Sequence, residues 1–361
     1  MGSNSGLALT GCKTTGRLIV QAANIHTGGG AKLLNAILRD RPEAGELVLF
    51  CDRRMSLDPS IEAAITVHRF EPEPFARFAA ERKLNDTAQS GDVVLAFGNL
   101  PPLYRLKAKT VLFLQNRYLV DPAMPLVGFN RNARMRLRVE RMWLKSRLRN
   151  VDSVVVQTAS MSVLFEKAFG RRAEVMALNP THATGPVAGN GGVVGARRYD
   201  FVYVSSGEPH KNHRSLIEAW VLLARSGAKP SLALTLSGEK NADVLALSAE
   251  ANASFGTEII NLGHVPPDGV DAIYDQSNAL VFPSTGESFG LPLLEAAERG
   301  LPILAGELDY VRDLVDPVET FDPRSPRSIA RAVGRFLKLP PDRNDTVGPT
   351  GFLGRICTEL S

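Results

Sequence analysis

One stretch constrains the fold of this chain more than any other: Ala279–Gly306, ALVFPSTGESFGLPLLEAAERGLPILAG. It spells a strand, a loop, a helix and a second strand in quick succession. Ala279–Phe282 is a short apolar run bounded by Pro283, which fits a buried strand. Gly290 closes the polar loop, and Pro292 suits the first turn of a helix, where its missing N–H would be unpaired anyway. Gly300 then stands where helices end in a left-handed residue, and Pro302 forbids their continuation. A loop that runs into a helix start presents free backbone N–H groups and the positive end of a dipole, which favours a bound phosphate. Glu287 lies in that loop and Glu295 about one turn into the helix, so both face one crevice.

The remaining strands set the class. Arg17–Ala23, Glu46–Phe50, Asp92–Phe97, Thr110–Leu114 and Ser153–Gln157 are short apolar runs, with helical patterns such as Pro74–Leu84 and Ala159–Phe169 between several of them. Alternation of this kind gives an α/β fold whose mostly parallel sheet is covered on both faces. After the first run comes Asn24–Gly30, ending in Gly28, Gly29 and Gly30, and then a helix, AKLLNAILRD. A glycine triplet alone reads as a flexible turn. At the C-terminal end of a first strand it also fits a ligand loop, because open α/β sheets bind ligands there.

Asn179–Arg198 is rich in Gly, Pro and small residues, lacks periodicity and reads as a linker. Strands resume with Phe201–Ser205, Ser231–Leu236, Glu258–Leu262, Ala279–Phe282 and Pro302–Leu304. Helices are expected at His213–Ser226 and Ser325–Leu339. The expected organisation is a flexible leader over 1–16, a Rossmann-like domain over 17–180 and a linker over 181–198. A second Rossmann-like domain covers 199–340, and a tail over 341–361 packs back on the first domain. A chain of 361 residues is long for one core, which agrees with two domains. The leader imitates a phosphate-binding P-loop between Gly6 and Lys13, but Cys12 interrupts the pattern.

Composition narrows the setting. Hydrophobic residues make up 44% and charged residues 22%, as in ordinary globular proteins, and no apolar run is long enough for a transmembrane helix. Three widely spaced cysteines, Cys12, Cys51 and Cys357, form neither a disulfide framework nor a zinc site and favour the cytoplasm. The net charge of +4 admits an anionic partner without requiring one. Its basic excess gathers in Arg131–Arg149, with seven Arg and one Lys against Glu140 alone. Met135, Val139, Met142 and Trp143 fall at helical spacing there and make an apolar stripe. Such a helix is either a solvated surface element or a face that meets anionic lipid or a diphosphate-bearing acceptor. No nucleic-acid module accompanies it.

Chemistry centres on two loops. In Glu208–Asn212, EPHKN, Asn212 suits the N-cap of the next helix, which sets Lys211 beside a helix start as a cation facing a phosphate. With Glu287 and Glu295 at the other helix start, the pattern fits a nucleotide-diphosphate sugar, its phosphates held by the cation and amides and its hydroxyls by the carboxylates. Metal chemistry looks unnecessary, since neither a D-x-D motif nor zinc-like spacing occurs, and no cofactor is called for.

Residues 199–339 resemble the retaining glycosyltransferases of GT family 4, the group 1 transferases, which have the two-domain GT-B fold. The matching segments are YDFVYVSSGEPHKNHRSLIEAW and INLGHVPPDGVDAIYDQSNALVFPSTGESFGLPLLEAAERGLPILAGELDYVRDLV. Glu287 and Glu295 stand as the family's E-x7-E motif. The resemblance implies that Glu295 holds the donor's ribose, that Glu287 binds the donor sugar, and that Lys211 neutralises the departing diphosphate. It implies backbone contacts from Ser288, Phe289, Gly290 and Leu291, a base-side border at His264 and Val265, and closure by Gly28–Gly30 from the other domain. Many members carry an arginine where Ser206 stands, and His210 is expected to supply part of that charge. Many also carry a histidine after the strand corresponding to Thr110–Leu114. This chain has Gln115, Asn116, Arg117 and Tyr118 there, on the acceptor side, and neither Gln nor Asn carries a proton.

The resemblance implies a metal-independent hexosyltransferase of surface-polysaccharide synthesis, O-antigen or capsule. Mannose from GDP-mannose is the expected donor, with a lipid-linked or oligosaccharide acceptor at the inner face of the membrane. A nucleotide-sugar 2-epimerase of the same architecture and a non-catalytic sugar-nucleotide-binding subunit are the alternatives.

Overall fold

Strand-forming runs buried on both faces must pair in parallel and be crossed over by helices. The computed structural model describes residues 16–26, 28–40, 46–124, 126, 129–180, 197–238 and 241–340. The first half runs β1 (Leu18–Ala22), α1 (Gly28–Arg39), β2 (Leu47–Asp52), α2 (Pro59–Ala63), β3 (Thr66–Phe70), α3 (Pro74–Thr87). It continues with β4 (Val93–Ala96), β5 (Lys109–Phe113), α4 (Arg131–Arg147), β6 (Ser153–Val156), α5 (Ala159–Phe169) and β7 (Glu174–Val175). The second half opens with β8 (Tyr199–Tyr203), α6 (His213–Arg225), β9 (Ser231–Leu234), α7 (Ala242–Phe255), β10 (Glu258–Asn261) and α8 (Pro267–Asp275). It closes with β11 (Ser277–Phe282), α9 (Leu291–Glu298), β12 (Ile303–Gly306), α10 (Asp309–Arg312), β13 (Glu319–Phe321) and α11 (Pro326–Phe336).

The two halves repeat one topology. Strand order is β3-β2-β1-β4-β5-β6-β7 in the first sheet and β10-β9-β8-β11-β12-β13 in the second, with parallel pairing throughout. In each sheet the order reverses between the first and fourth strands, β1 and β4 in one, β8 and β11 in the other. The chain therefore leaves those strands in opposite directions and opens a crevice beyond their C-terminal ends. Expected site residues follow β8 and β11 in the second sheet; in the first, Gly28–Gly30 open the helix after β1 and Gln115–Tyr118 follow β5.

Packing explains the frame. In the second half, Phe201, Tyr203, Trp220 and Phe282 form a fully buried core, and Phe201 meets Trp220 edge-on at 5.5 Å. The Trp220 indole N–H is satisfied by the Pro230 carbonyl at 2.8 Å. In the first half, Val20, Leu34, Leu49 and Phe97 seat α1 on the sheet, while Leu112, Leu137, Leu144 and Phe165 seat α4 and α5.

Three expectations need adjusting. The glycine triplet is no loop: Gly28–Gly30 form the first turn of α1. Asn212 occupies the N-cap position of α6 at φ 62°, but its amide makes no cap hydrogen bond; it donates to the carbonyls of Pro283 (3.1 Å) and Pro323 (2.5 Å). The apolar stripe of α4 is turned outward, with Met135, Val139 and Met142 exposed by 58, 46 and 66%. The helix packs instead through Leu137 and Leu144, two turns apart on the opposite side. Trp143 is half-buried at the edge, its indole N–H on the Pro101 carbonyl at 2.9 Å and the Arg77 guanidinium 4.9 Å from its ring centroid. The expected leader apart from Gly16, most of the linker and the whole tail lie outside the described residues.

Candidate active site in the cleft

Lys211 and Glu287 come from the two strands that flank the second switch point. Lys211 ends a single turn, Pro209–Lys211, after β8, and Glu287 lies in the loop after β11. Their side chains meet at 2.7 Å, Nζ to Oε1, both largely shielded from water. The loops are fastened to each other through the His210 carbonyl, which accepts from the Thr285 N–H (2.8 Å) and from the hydroxyls of Thr285 and Ser284 (3.1 Å each). Below, the Tyr203 hydroxyl donates to the Lys211 carbonyl at 2.8 Å and the Tyr310 hydroxyl to the Ser284 carbonyl at 2.9 Å. Burial and then the Glu287 charge push both phenols well above their ordinary pKa, so they stay donors. None of these supports was expected from the sequence.

Gly290 caps α9 at φ 91°, a conformation that suits glycine and turns the chain sharply into the helix. Beyond it Pro292 has no N–H, and the Leu293 N–H donates to the Gly290 carbonyl at 3.0 Å. Phe289 is buried. Glu295, one turn along, is buried as well, and Tyr274 donates to its Oε2 at 3.1 Å. Its Oε1 receives Lys32, which reaches over from α1 of the other half with Nζ at 2.5 Å. Gly29 and Leu291 confirm how closely the two helix starts approach: a Cβ on Gly29 would lie 3.5 Å from the Leu291 side chain.

The residues expected on the acceptor side, Gln115–Tyr118, close the other wall. Asn99, in the left-handed region at φ 68°, accepts the N–H groups of Gln115 and Asn116 on its side-chain oxygen at 2.6 and 2.8 Å. Asn116 in turn accepts the Tyr118 N–H, starting the turn that carries Arg117 and Tyr118. The Arg117 N–H donates to the Ser288 hydroxyl at 2.9 Å, and the Tyr118 ring meets the His210 ring edge-on at 6.1 Å. A Cβ on Gly30 would lie 3.8 Å from the Gln115 carboxamide oxygen. These contacts bring Gln115–Tyr118, Ser288, His210 and the start of α1 to one cleft.

Four further expected residues have surroundings of their own. Burial drives the His210 pKa below its ordinary 6.5 against the pull of Glu287, so at neutral pH the ring is a hydrogen-bonding group and no cation. Ser206 donates its hydroxyl to Glu208. His264 and Val265 lie in the loop after β10, the edge strand, and Val265 packs against the core of its own half.

This arrangement has known counterparts. Residues 194–347 match the family described as glycosyl transferases group 1. The family likeness thus rests on residues 194–347, under half of the chain. A serotype-specific mannosyltransferase, WbdA of Escherichia coli, is 29% identical over 140 residues, 38% of this chain and 17% of that protein. The O-antigen chain mannosyltransferase B of Escherichia coli is 34% identical over 117 residues, 32% of this chain and 30% of its own length. The chain thus spans under a third of either curated relative. Among solved structures, Anabaena HepE in complex with UDP covers 89% of this chain and 90% of its own, with a TM-score of 0.62 at 16% identity. The lipopolysaccharide outer core galactosyltransferase WaaB in apo form covers the same shares at a TM-score of 0.59 and 16% identity. At such identities these likenesses establish the fold, which is GT-B: two parallel α/β sheets facing across a cleft.

Proposed function

We propose that this protein is a retaining, metal-independent glycosyltransferase that moves a sugar from a nucleoside-diphosphate donor to an acceptor in surface-polysaccharide assembly, as in O-antigen or capsule. The observation that carries the reading is the Lys211–Glu287 pair, fixed at 2.7 Å over the second switch point, next to the start of α9. In this reading the donor's diphosphate lies against Lys211 and the positive end of α9, where fixed charge stabilises it as it leaves. Glu287 accepts hydroxyls of the transferred sugar and Glu295 those of the ribose. The bond from the anomeric carbon to the phosphate oxygen breaks as the acceptor oxygen bonds on the same face. The acceptor's proton passes to the departing phosphate oxygen, which makes a side-chain base at Gln115 or Asn116 unnecessary.

The two mannosyltransferase relatives support mannose, and GDP-mannose with it, as the donor. HepE, solved with UDP and glucose, supports a nucleoside diphosphate in this cleft. A lipid-linked acceptor is supported by α4, whose Arg141 guanidinium holds the Tyr118 carbonyl at 2.9 and 2.7 Å, one residue layer from the cleft. Its exposed Met135, Val139 and Met142 stand among arginines, a combination that suits an anionic leaflet at the inner face of the membrane. Among the described residues no helix is long and apolar enough to cross a membrane.

Transfer from a purified panel of nucleotide sugars to a lipid-linked acceptor extract tests the reading. Glu287→Ala is expected to abolish product, and an unchanged yield overturns the catalytic assignment. Product isomerised without any acceptor would make the protein an epimerase instead. Pelleting with phosphatidylglycerol vesicles but not phosphatidylcholine vesicles, reduced by Met142→Glu, tests the membrane contact; equal pelleting with both overturns it.

A further inference from the structure

Glu295 is held from two sides. Tyr274, in its own half, donates to Oε2, and Lys32, from the opposite half, meets Oε1 at 2.5 Å. The two holds differ in kind. Tyr274 is fully buried and belongs to the packed core under α9. Lys32 is 29% exposed on the cleft side, at the end of a flexible four-carbon stem. An ammonium on Oε1 occupies the side of the carboxylate that faces the cleft, which is where a ribose hydroxyl would come. Lys32 is also the fifth residue of α1, one turn from Gly29, which abuts Leu291 at the start of α9. Displaced from Glu295, its ammonium stays between two helix starts that already favour an anion.

Resting on the donor reading above, we infer that Lys32 is a donor-binding residue supplied by the N-terminal half: it holds Glu295 while the cleft is empty, yields it to the ribose hydroxyls, and then serves as counter-charge to the diphosphate. Closure of the two halves is thereby tied to occupancy of the cleft. With no nucleotide the cross-cleft bond is Lys32 to Glu295; with nucleotide it becomes Lys32 to phosphate and Glu295 to ribose. A nucleoside lacking phosphates must break the first bond and gains nothing for it. The protein should therefore discriminate strongly for the diphosphate.

The test compares binding of UDP, GDP, ADP and dTDP with that of their nucleosides, by calorimetry, on the full chain. Wild type is expected to prefer the recognised nucleoside diphosphate over its nucleoside. In Lys32→Met this preference should fall about tenfold, the scale of one charge-assisted contact, while the nucleoside itself binds no more weakly than to wild type. Lys32→Arg, which keeps the charge, should retain the preference within about threefold on the same grounds. Should Lys32→Met fail to fold, Lys32→Gln gives the same reading. An unchanged preference in the neutral variant overturns the inference, and so does weaker nucleoside binding, which would make Lys32 only a prop for Glu295. A wild-type protein that binds none of UDP, GDP, ADP and dTDP overturns the donor reading itself.

Discussion

Two lysine–glutamate pairs hold the cleft, and they are built in opposite ways. Lys211 and Glu287 belong to one half, on loops fastened through the His210 carbonyl and propped by Tyr203 and Tyr310. Lys32 and Glu295 belong to different halves, and the pair exists only while those halves are together. In the proposed reading a donor meets the first pair ready-made and must exchange the second, conditional one. A site that has to stabilise a leaving group benefits from charges that do not reorganise, whereas a site that has to admit and release a nucleotide needs one contact that gives way.

The sharpest way to break the comparison is to remove the fixed cation. Lys211→Ala is expected to lower kcat by about 10²–10³, the scale seen when one preorganised donor to a developing negative charge is lost, with a much smaller change in donor KM. Steady-state kinetics check this. A loss confined to KM would make Lys211 a binding group like Lys32.

A smaller effect lies beneath Lys211. His213 is buried with its ring 4.9 Å from that of Tyr203 and its Nε2 3.0 Å from the Ser205 hydroxyl. Burial, with Lys211 next, lowers its pKa from 6.5 to about 4. The unfolded chain therefore binds a proton that the folded protein refuses. Stability is full above pH 6.5 and falls as the pH drops from 6.5 towards 4, by roughly 3 kcal/mol at most for a shift of this size. Denaturant unfolding of wild type and His213→Gln across that range measures it. The variant should lose most of the acid slope, and a slope equal to wild type would mean that other groups carry it.

The smallest effect concerns a prop. Tyr203→Phe removes the hydrogen bond to the Lys211 carbonyl, worth about 1 kcal/mol, and should cost several-fold in kcat while leaving nucleoside binding at Glu295 unaltered. Equal losses at both pairs would mean that the two are not independent.

Lys211, Glu287 and Glu295 were legible in the sequence as cleft residues, but neither the Lys211–Glu287 contact nor Lys32 was. Glu287 and Glu295 share one short strand–loop–helix segment, and Lys211 precedes a helix start, so local rules bring each to a cleft. Lys32 lies 263 residues from Glu295 on a helix whose own pattern says only which face is buried. Its role depends on how two sheets face each other, which no local period encodes. Asn99 is hidden for a different reason: its left-handed backbone and double acceptance from Gln115 and Asn116 belong to the loop geometry.

Elsewhere the sequence misled through competition between signals. In α4 two apolar stripes coexist, and Met135, Val139, Met142 and Trp143 read as strongly as Leu137 and Leu144; packing chose the leucines. β3 escaped notice because an edge strand, Thr66–Phe70, carries His68 and Arg69 in place of a clean apolar run. β7 is two residues long.

The central claim is that this cleft takes a nucleoside-diphosphate sugar between the fixed and the conditional pair. Thermal unfolding of wild type and Glu295→Ala with UDP-, GDP-, ADP- and dTDP-sugars tests it most directly. One donor at about a hundred times its Kd should add about 2.7 kcal/mol of stability, raising the wild-type Tm by several degrees, and Glu295→Ala should lose most of that gain. No shift with any donor, or an equal shift in both proteins, would contradict the account.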